Sequence, residues 1–390
     1  MSEILNSISI QGYKSIRDLP PFELRNINVL IGSNGAGKSN FVSFFRMLRE
    51  LFEQRLQTFL AQEGGADVCL YLGPQETKEL KATLRFGANG YEFTLVPTVD
   101  GRLVFSSELT VYRGHLTSGQ ETKRSLGSGH VEAQLKDHKE DSGVRASRGV
   151  AHYVWAALSD WVVYHFHDTS QFAKVRRPGA INDNEVLRPS AENLAAFLFR
   201  LQQTQPEAYG KIRDVVRLAA PFFDDFKLRP TPANPEFIQL EWQQKDSVYP
   251  MLASQLSDGT LRFICLATAL LQPQRPRTSL FDEPELGLHP YALTLLGNLV
   301  QQSIAPHGYP LYQVILSTQS ALLLNEFTPE DIVVVDRFGG QSTFLRLETP
   351  QLNEWLADYT LGELWQKNLL GGRPGLDSQK KPPTPAEISR

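Results

Sequence analysis

Residues 27–40 read INVLIGSNGAGKSN. The apolar run that opens this stretch, bounded by Gly32, is the pattern of a strand covered on both faces, as in a parallel sheet. Beyond it, Phe41, Phe44, Phe45, Leu48 and Phe52 recur at helical spacing, so a helix is expected from about Ser39 to Ala61. Between strand and helix, Gly32-Ser33-Asn34-Gly35-Ala36-Gly37-Lys38-Ser39 fits GxxxxGK[ST] in full, in the context that gives the motif its meaning. Glycines let successive backbone N–H groups turn inward around phosphate oxygens, and the helix N-terminus adds positive dipole. Lys38 is placed to neutralise β- and γ-phosphates, and the Ser39 hydroxyl to bind Mg2+. The loop from Gly32 to Asn40 is therefore the predicted phosphate cradle.

A phosphate loop needs a second acid for the metal and a group that activates water. Thr278-Ser279-Leu280-Phe281-Asp282-Glu283 is an apolar strand ending in two acids. Asp282 is the expected second metal ligand and Glu283 the expected general base. An isolated strand ending in Asp-Glu would be a solvated strand end; a complete phosphate loop upstream favours the catalytic reading. Leu256-Ser257-Asp258-Gly259-Thr260-Leu261-Arg262 precedes an apolar helix. There Ser257, Asp258 and Gly259 offer a hydroxyl and free N–H groups to a phosphate, or simply an N-cap.

The 390 residues predict two to three units at ~150 residues each. A chain that is 41% hydrophobic and 21% charged can build a sizeable core. Its net charge of −4 excludes a bulk polycation that coats nucleic acid, while leaving room for a local basic groove. Two distant cysteines, Cys69 and Cys265, make no disulfide framework and fit a reducing compartment. No secretory leader and no membrane-length apolar run are evident, so a cytoplasmic chain without a membrane partner is expected.

The expected organisation is an N-terminal lobe over residues 1–113, with the phosphate loop and an antiparallel β subdomain. A polar mobile loop follows at 114–149. Residues 150–250 hold a strand and a helical lobe, 251–370 a second α/β lobe, and 371–390 a disordered tail. Residues 190–226 read as amphipathic helix, too short for an extended coiled coil.

The set GSNGAGKS, LSDGTLR, SLFDEPELGLHP and ILSTQS, with GYKSI before the phosphate loop, resembles the ABC-class ATPases of the RecF/SMC/overcoming-lysogenisation-defect branch. With the ending LGELWQKNLLGGRP, the chain is more closely similar to short stand-alone AAA-family ATPases of that branch. The resemblance implies an α/β ATPase head: a mixed or parallel core sheet flanked by helices, an antiparallel β subdomain and a small helical lobe. It also implies ATP and Mg2+ as cofactors. Two heads then sandwich two ATP molecules, so Ser257 and Gly259 act in trans and Lys38, Ser39, Asp282 and Glu283 in cis. Such a protein pairs with itself on ATP, as a dimer or a higher even oligomer.

Further roles come with the resemblance. Gln171 is the best candidate for a glutamine loop that contacts magnesium, with a plain surface residue as the alternative. Gln319, in Ser317-Thr318-Gln319-Ser320, stands where the family usually has histidine; it can donate to the γ-phosphate but carries no charge, which favours slow turnover. Glu285 is a salt-bridge partner at the dimer interface or exposed, and His289-Pro290 shapes the segment crossing that interface. Lys14 is a candidate neighbour of the nucleotide. His165 and His167 are packed histidines before they are metal ligands. Lys174, Arg176 and Arg177 form a solvated basic face or a contact for nucleic-acid phosphate. Too little chain follows Gln319 for a nuclease domain of the Toprim kind. The expected function is thus an ATP-gated switch that controls a separately encoded effector, such as a Toprim-type nuclease, in an anti-phage module. A RecF-like DNA-binding ATPase of repair or replication and a nucleotide-locked scaffold are the alternatives.

Overall fold

The computed structural model describes residues 4–114, 120–140, 149–304 and 312–372. The apolar run Ile27–Ile31 is a strand with all five residues buried, flanked on one side by Gln313–Thr318 and on the other by Ile332–Phe338. Thr278–Asp282 and Trp161–Tyr164 extend the sheet beyond Gln313–Thr318. All these neighbours run parallel; Gln341–Arg346 closes the opposite edge antiparallel to Ile332–Phe338. Parallel strands covered on both faces read as continuous apolar runs, which is why Ile27–Ile31 and Leu280–Phe281 stood out. Asn28, buried within the central strand, is satisfied locally: its Nδ2 donates to the Arg25 carbonyl at 2.6 Å and its Oδ1 accepts from the Arg25 N–H at 3.0 Å.

A second six-stranded sheet is antiparallel, in the order Ile16–Glu23, Ser7–Tyr13, Leu80–Phe86, Asn89–Pro97, Leu103–Tyr112 and Thr122–Gly127. The phosphate-loop helix Lys38–Phe52 lies between the sheets and buries Phe41, Phe44, Phe45, Leu48 and Phe52. On the far side of the core sheet, Leu194–Thr204 and Pro206–Ala219 form a helical lobe against the apolar helix Asp258–Leu271. The expected α/β head, with a mixed core sheet, an antiparallel subdomain and a helical lobe, is the fold found.

Three local expectations are corrected. The phosphate-loop helix ends at Phe52, Gln54 takes a left-handed φ of 58°, and a separate helix runs Leu56–Glu63. Phe223–Phe226 is a strand rather than the end of a helix. Within the polar stretch 114–149, Thr122–Gly127 pairs with Leu103–Tyr112 as the outer strand of the antiparallel sheet. The remainder of that stretch at 115–119 and 141–148, and the tail from 373, lie outside the described residues. No described helix is long and apolar enough to cross a membrane.

Candidate nucleotide site

Three strand ends converge at the C-terminal edge of the core sheet. Ile27–Ile31 feeds the loop Gly32–Gly37, Thr278–Asp282 delivers the two acids, and Gln313–Thr318 delivers Gln319. Open parallel sheets place their ligands at this edge, because the loops and helix N-termini gather there. Lys38 is only 4% exposed, and its Nζ donates to the carbonyls of Gly32 at 2.8 Å and Ser33 at 3.1 Å. Burial pulls its pKa down, opposed by the nearby carboxyls of Glu283, Asp282 and Glu285. The ammonium is thus folded onto its own loop, in a concave cradle of backbone groups.

Ser39 Oγ donates to Asp282 Oδ1 at 3.4 Å, and Ser317 Oγ donates to the same oxygen. A hydroxyl and one carboxylate beside a phosphate loop are the hard oxygen donors Mg2+ takes when phosphates and water complete its shell. These residues fit that ion. Glu283 has a left-handed φ of 43°, uncommon outside glycine and asparagine. Its N–H is tied to the Ser317 carbonyl and hydroxyl, each at 3.1 Å. This bend turns the Glu283 carboxyl into a cavity of about 470 Å3 shared with Asn34, Glu285, Gln319 and Ser320. Gln319 Nε2 donates to Glu283 Oε1, and the Gln319 N–H donates to Glu285 Oε1 at 2.7 Å. Glu285 is therefore joined to Gln319, and burial raises its carboxyl above the usual range.

The predicted signature segment sits elsewhere. Ser257 caps the helix Asp258–Leu271, its Oγ accepting from the Thr260 N–H at 3.1 Å, and it is exposed. Gly259 lies against the loop after Glu283; a Cβ there would fall 2.0 Å from the Gly287 carbonyl oxygen. Ser257 and Asp258 line a cavity of about 330 Å3 with Gln171 and Arg176. The structure thus brings Lys38, Ser39, Asp282, Glu283 and Gln319 together, and places Gln171 with Ser257 and Asp258.

Arg176 corrects the reading of a basic face. It is buried, and its guanidinium donates to Asp258 Oδ1 at 2.7 Å, to the Thr169 carbonyl at 2.9 Å and to the carbonyls of Ala253 and Leu256. Lys174 pairs with Glu192 at 2.9 Å. Arg262, likewise buried, donates to the carbonyls of Phe166, His167 and Leu286. These two arginines hold the start of the helix Asp258–Leu271 and the loop after Glu283, and sequence reasoning missed the role of both because most of their acceptors are distant in the chain. Lys14, at a φ of 45°, donates to Ser43 Oγ at 2.9 Å and to Glu63 at 2.7 Å. Burial first, then the charge of Arg46, lowers His165 to about 4, leaving a neutral ring. Among the described residues no three His, Cys, Asp or Glu side chains group as a metal site would need.

Residues 27–325 match the family described as "AAA domain, putative AbiEii toxin, Type IV TA system". Two solved structures share the fold. A crystal structure of an Smc head bound to the C-winged helix domain of ScpA aligns with a TM-score of 0.53 and 14% identity, over 89% of this chain and 99% of that one. An Smc head domain with an extended coiled coil, bound to the C-terminal domain of ScpA and derived from Pyrococcus furiosus, aligns with a TM-score of 0.51 and 14% identity, over 91% and 99%. At that identity the likeness is one of fold. No curated protein is significantly similar in sequence.

Proposed function

The chain belongs to the AAA-domain family matched across residues 27–325, and from that premise we propose that it is an ATP-driven switch. It binds ATP with Mg2+, closes head to head with a second copy, and hydrolyses slowly. Lys38 exchanges the carbonyls of Gly32 and Ser33 for β- and γ-phosphate oxygens. Ser39 and Asp282 would hold Mg2+, which would neutralise charge on the β- and γ-phosphates. Glu283 takes the proton from the attacking water. Gln319 orients that carboxyl through its amide, and as a neutral donor it stabilises developing phosphate charge less than an imidazolium would, which is our reason for expecting slow turnover.

The observation that carries the dimer is a separation. The cavity at Ser257 shares no lining residue with the two cavities at Asn34. In one chain the phosphate loop and Ser257 thus line different cavities, which supports a complete site that draws Ser257 from a second copy about a two-fold axis. Ser257→Arg should leave ATP binding intact and abolish assembly on a non-hydrolysable analogue. Light scattering reads the outcome directly: if Ser257→Arg doubles its mass on the analogue as the wild type does, the composite site is wrong.

The switch acts on a separate effector, which we take to be a Toprim-type nuclease in an anti-phage module. The family description names a toxin of a toxin–antitoxin system, wording that favours a two-component setting. Of the basic cluster Lys174, Arg176 and Arg177, only Arg176 is withdrawn from a DNA-binding face, being buried and paired with Asp258.

A further inference from the structure

The C-terminal described segment returns to the phosphate loop. Its helix Leu361–Gln366 begins at a capping box, with the Glu363 N–H donating to Thr360 Oγ1 at 3.3 Å and the Thr360 N–H to Glu363 Oε2 at 2.8 Å. The Gly362 N–H donates to Asn325 Oδ1 at 2.7 Å, and a Cβ at Gly362 would lie 2.4 Å from the Ala321 carbonyl oxygen. The helix is therefore seated on Ala321–Leu324, the turn of helix that follows Gln319-Ser320. Past its end the chain folds back. A Cβ at Gly372 would lie 3.1 Å from Gly32 Cα and 3.5 Å from Trp365 Nε1.

Trp365 thus lies between the segment bearing Gln319 and the first glycine of the phosphate loop. With Gln366 and Gly372 it forms one wall of a cavity of about 360 Å3. Gly32, Ser33, Asn34 and Gln319 line the same cavity. Asn34 and Gln319 also line the neighbouring cavity that holds Glu283. Glu283, as the base, must stand where water meets the terminal phosphate, so the Trp365 wall closes that end of the site. The indole N–H, a donor with no acceptor role, is buried beside Gly372 and has no partner among the described residues. A buried donor left unpaired is rare and calls for an explanation.

We infer that the segment Thr360–Gly372 is part of the nucleotide site and senses the terminal phosphate. A triphosphate seated on Gly32–Asn34 brings oxygen acceptors to this wall, and the Trp365 N–H donates to one of them; a diphosphate does not reach it. Because the helix rests on the segment bearing Gln319, the same contact links that segment, Trp365 and Gly372 into one unit whose position depends on the γ-phosphate. This inference rests on the nucleotide-binding reading above.

Titration calorimetry on the full-length protein, with a non-hydrolysable ATP analogue and separately with ADP, tests it in the wild type, Trp365→Phe and Lys38→Ala. Trp365→Phe keeps an aromatic wall and removes the donor. It should weaken the analogue about tenfold, the scale of one hydrogen bond to a charged group, and leave ADP unchanged. Amide hydrogen exchange gives a readout without mutation: residues 361–372 should gain protection with the analogue and not with ADP. Equal loss of both ligands in Trp365→Phe, an unaltered analogue affinity, or the same protection with either nucleotide would each overturn the sensor. Lys38→Ala should lose both ligands. A wild type that binds neither would instead overturn the nucleotide reading itself, and the sensor with it.

Discussion

Glu108 is a carboxyl within the antiparallel sheet and Glu283 one at the C-terminal edge of the core sheet, and their surroundings differ in the respects that chemistry uses. Glu108, in the antiparallel sheet, is 0% exposed and fully engaged. It accepts from the Tyr91 hydroxyl at 2.6 Å and from the N–H groups of Gln134 at 2.9 Å and Leu135 at 3.1 Å, and it pairs with His130 Nε2 at 2.7 Å. The His130 ring in turn stacks on Phe105 at 4.7 Å. Burial, with the neighbouring acid, pushes the Tyr91 hydroxyl well above its usual range, so it stays a donor. Glu283 instead stands on a left-handed backbone, accepts from one glutamine amide and faces a cavity. A carboxyl whose lone pairs are filled by fixed donors is a tie between segments. One held in strain beside open space is available to a proton.

The largest effect should come from breaking the tie. Glu108→Ala strands several buried donors at once, at about 1–3 kcal/mol each, so roughly 3–5 kcal/mol of stability should be lost in urea unfolding. Glu108→Gln, which keeps one acceptor oxygen, should recover part of that. A Glu108→Ala protein as stable as wild type would erase the contrast. Next, Glu283→Gln should cost about two decades or more of ATP turnover, because an amide accepts no proton, while its melting temperature stays within ~1 °C of wild type. Turnover equal to wild type would remove Glu283 from the chemistry.

Glu285 sharpens the comparison at small scale, being half-way between the two: joined to Gln319 yet raised by burial. The unfolded chain gives up that proton first, so ionisation penalises the folded state. The penalty is absent at low pH and grows as pH rises through the carboxylate range. Glu285→Gln escapes it and should melt ~1–2 °C higher than wild type near neutral pH without nucleotide, the gap closing toward about pH 4. A gap that stays constant with pH would mean that Glu285 does not titrate upward.

Where a feature is contiguous in the chain, its sequence was enough. The loop Gly32–Ser39, the pair Asp282-Glu283 and the apolar runs beside them carry their meaning within a few residues, and all converge on one sheet edge. The sequence of Thr122–Gly127 reads as loop because an edge strand with one buried residue in six has no alternation to detect. Arg176 looked like surface charge because its partners, at Ala253, Leu256 and Asp258, are distant in sequence. Trp365 gave no signal beyond lying in LGELWQKNLLGGRP: what makes it part of a site is a fold-back of Gly372 onto Gly32, which no local pattern encodes.

The close approach of Gly259 to Gly287 has a consequence for timing. Arg262, one turn along the signature helix, also donates to the Leu286 carbonyl, so the start of that helix and the loop after Glu283 are riveted at two points. In the proposed dimer, the first would press on the partner's ATP while the second would follow Glu283, the base that activates water at the chain's own ATP. Whatever shifts one shifts the other. Two such sites facing each other would not fire as independent clocks: each turnover would be felt across the axis, and the pair would keep a common rhythm set by whichever rivet yields first.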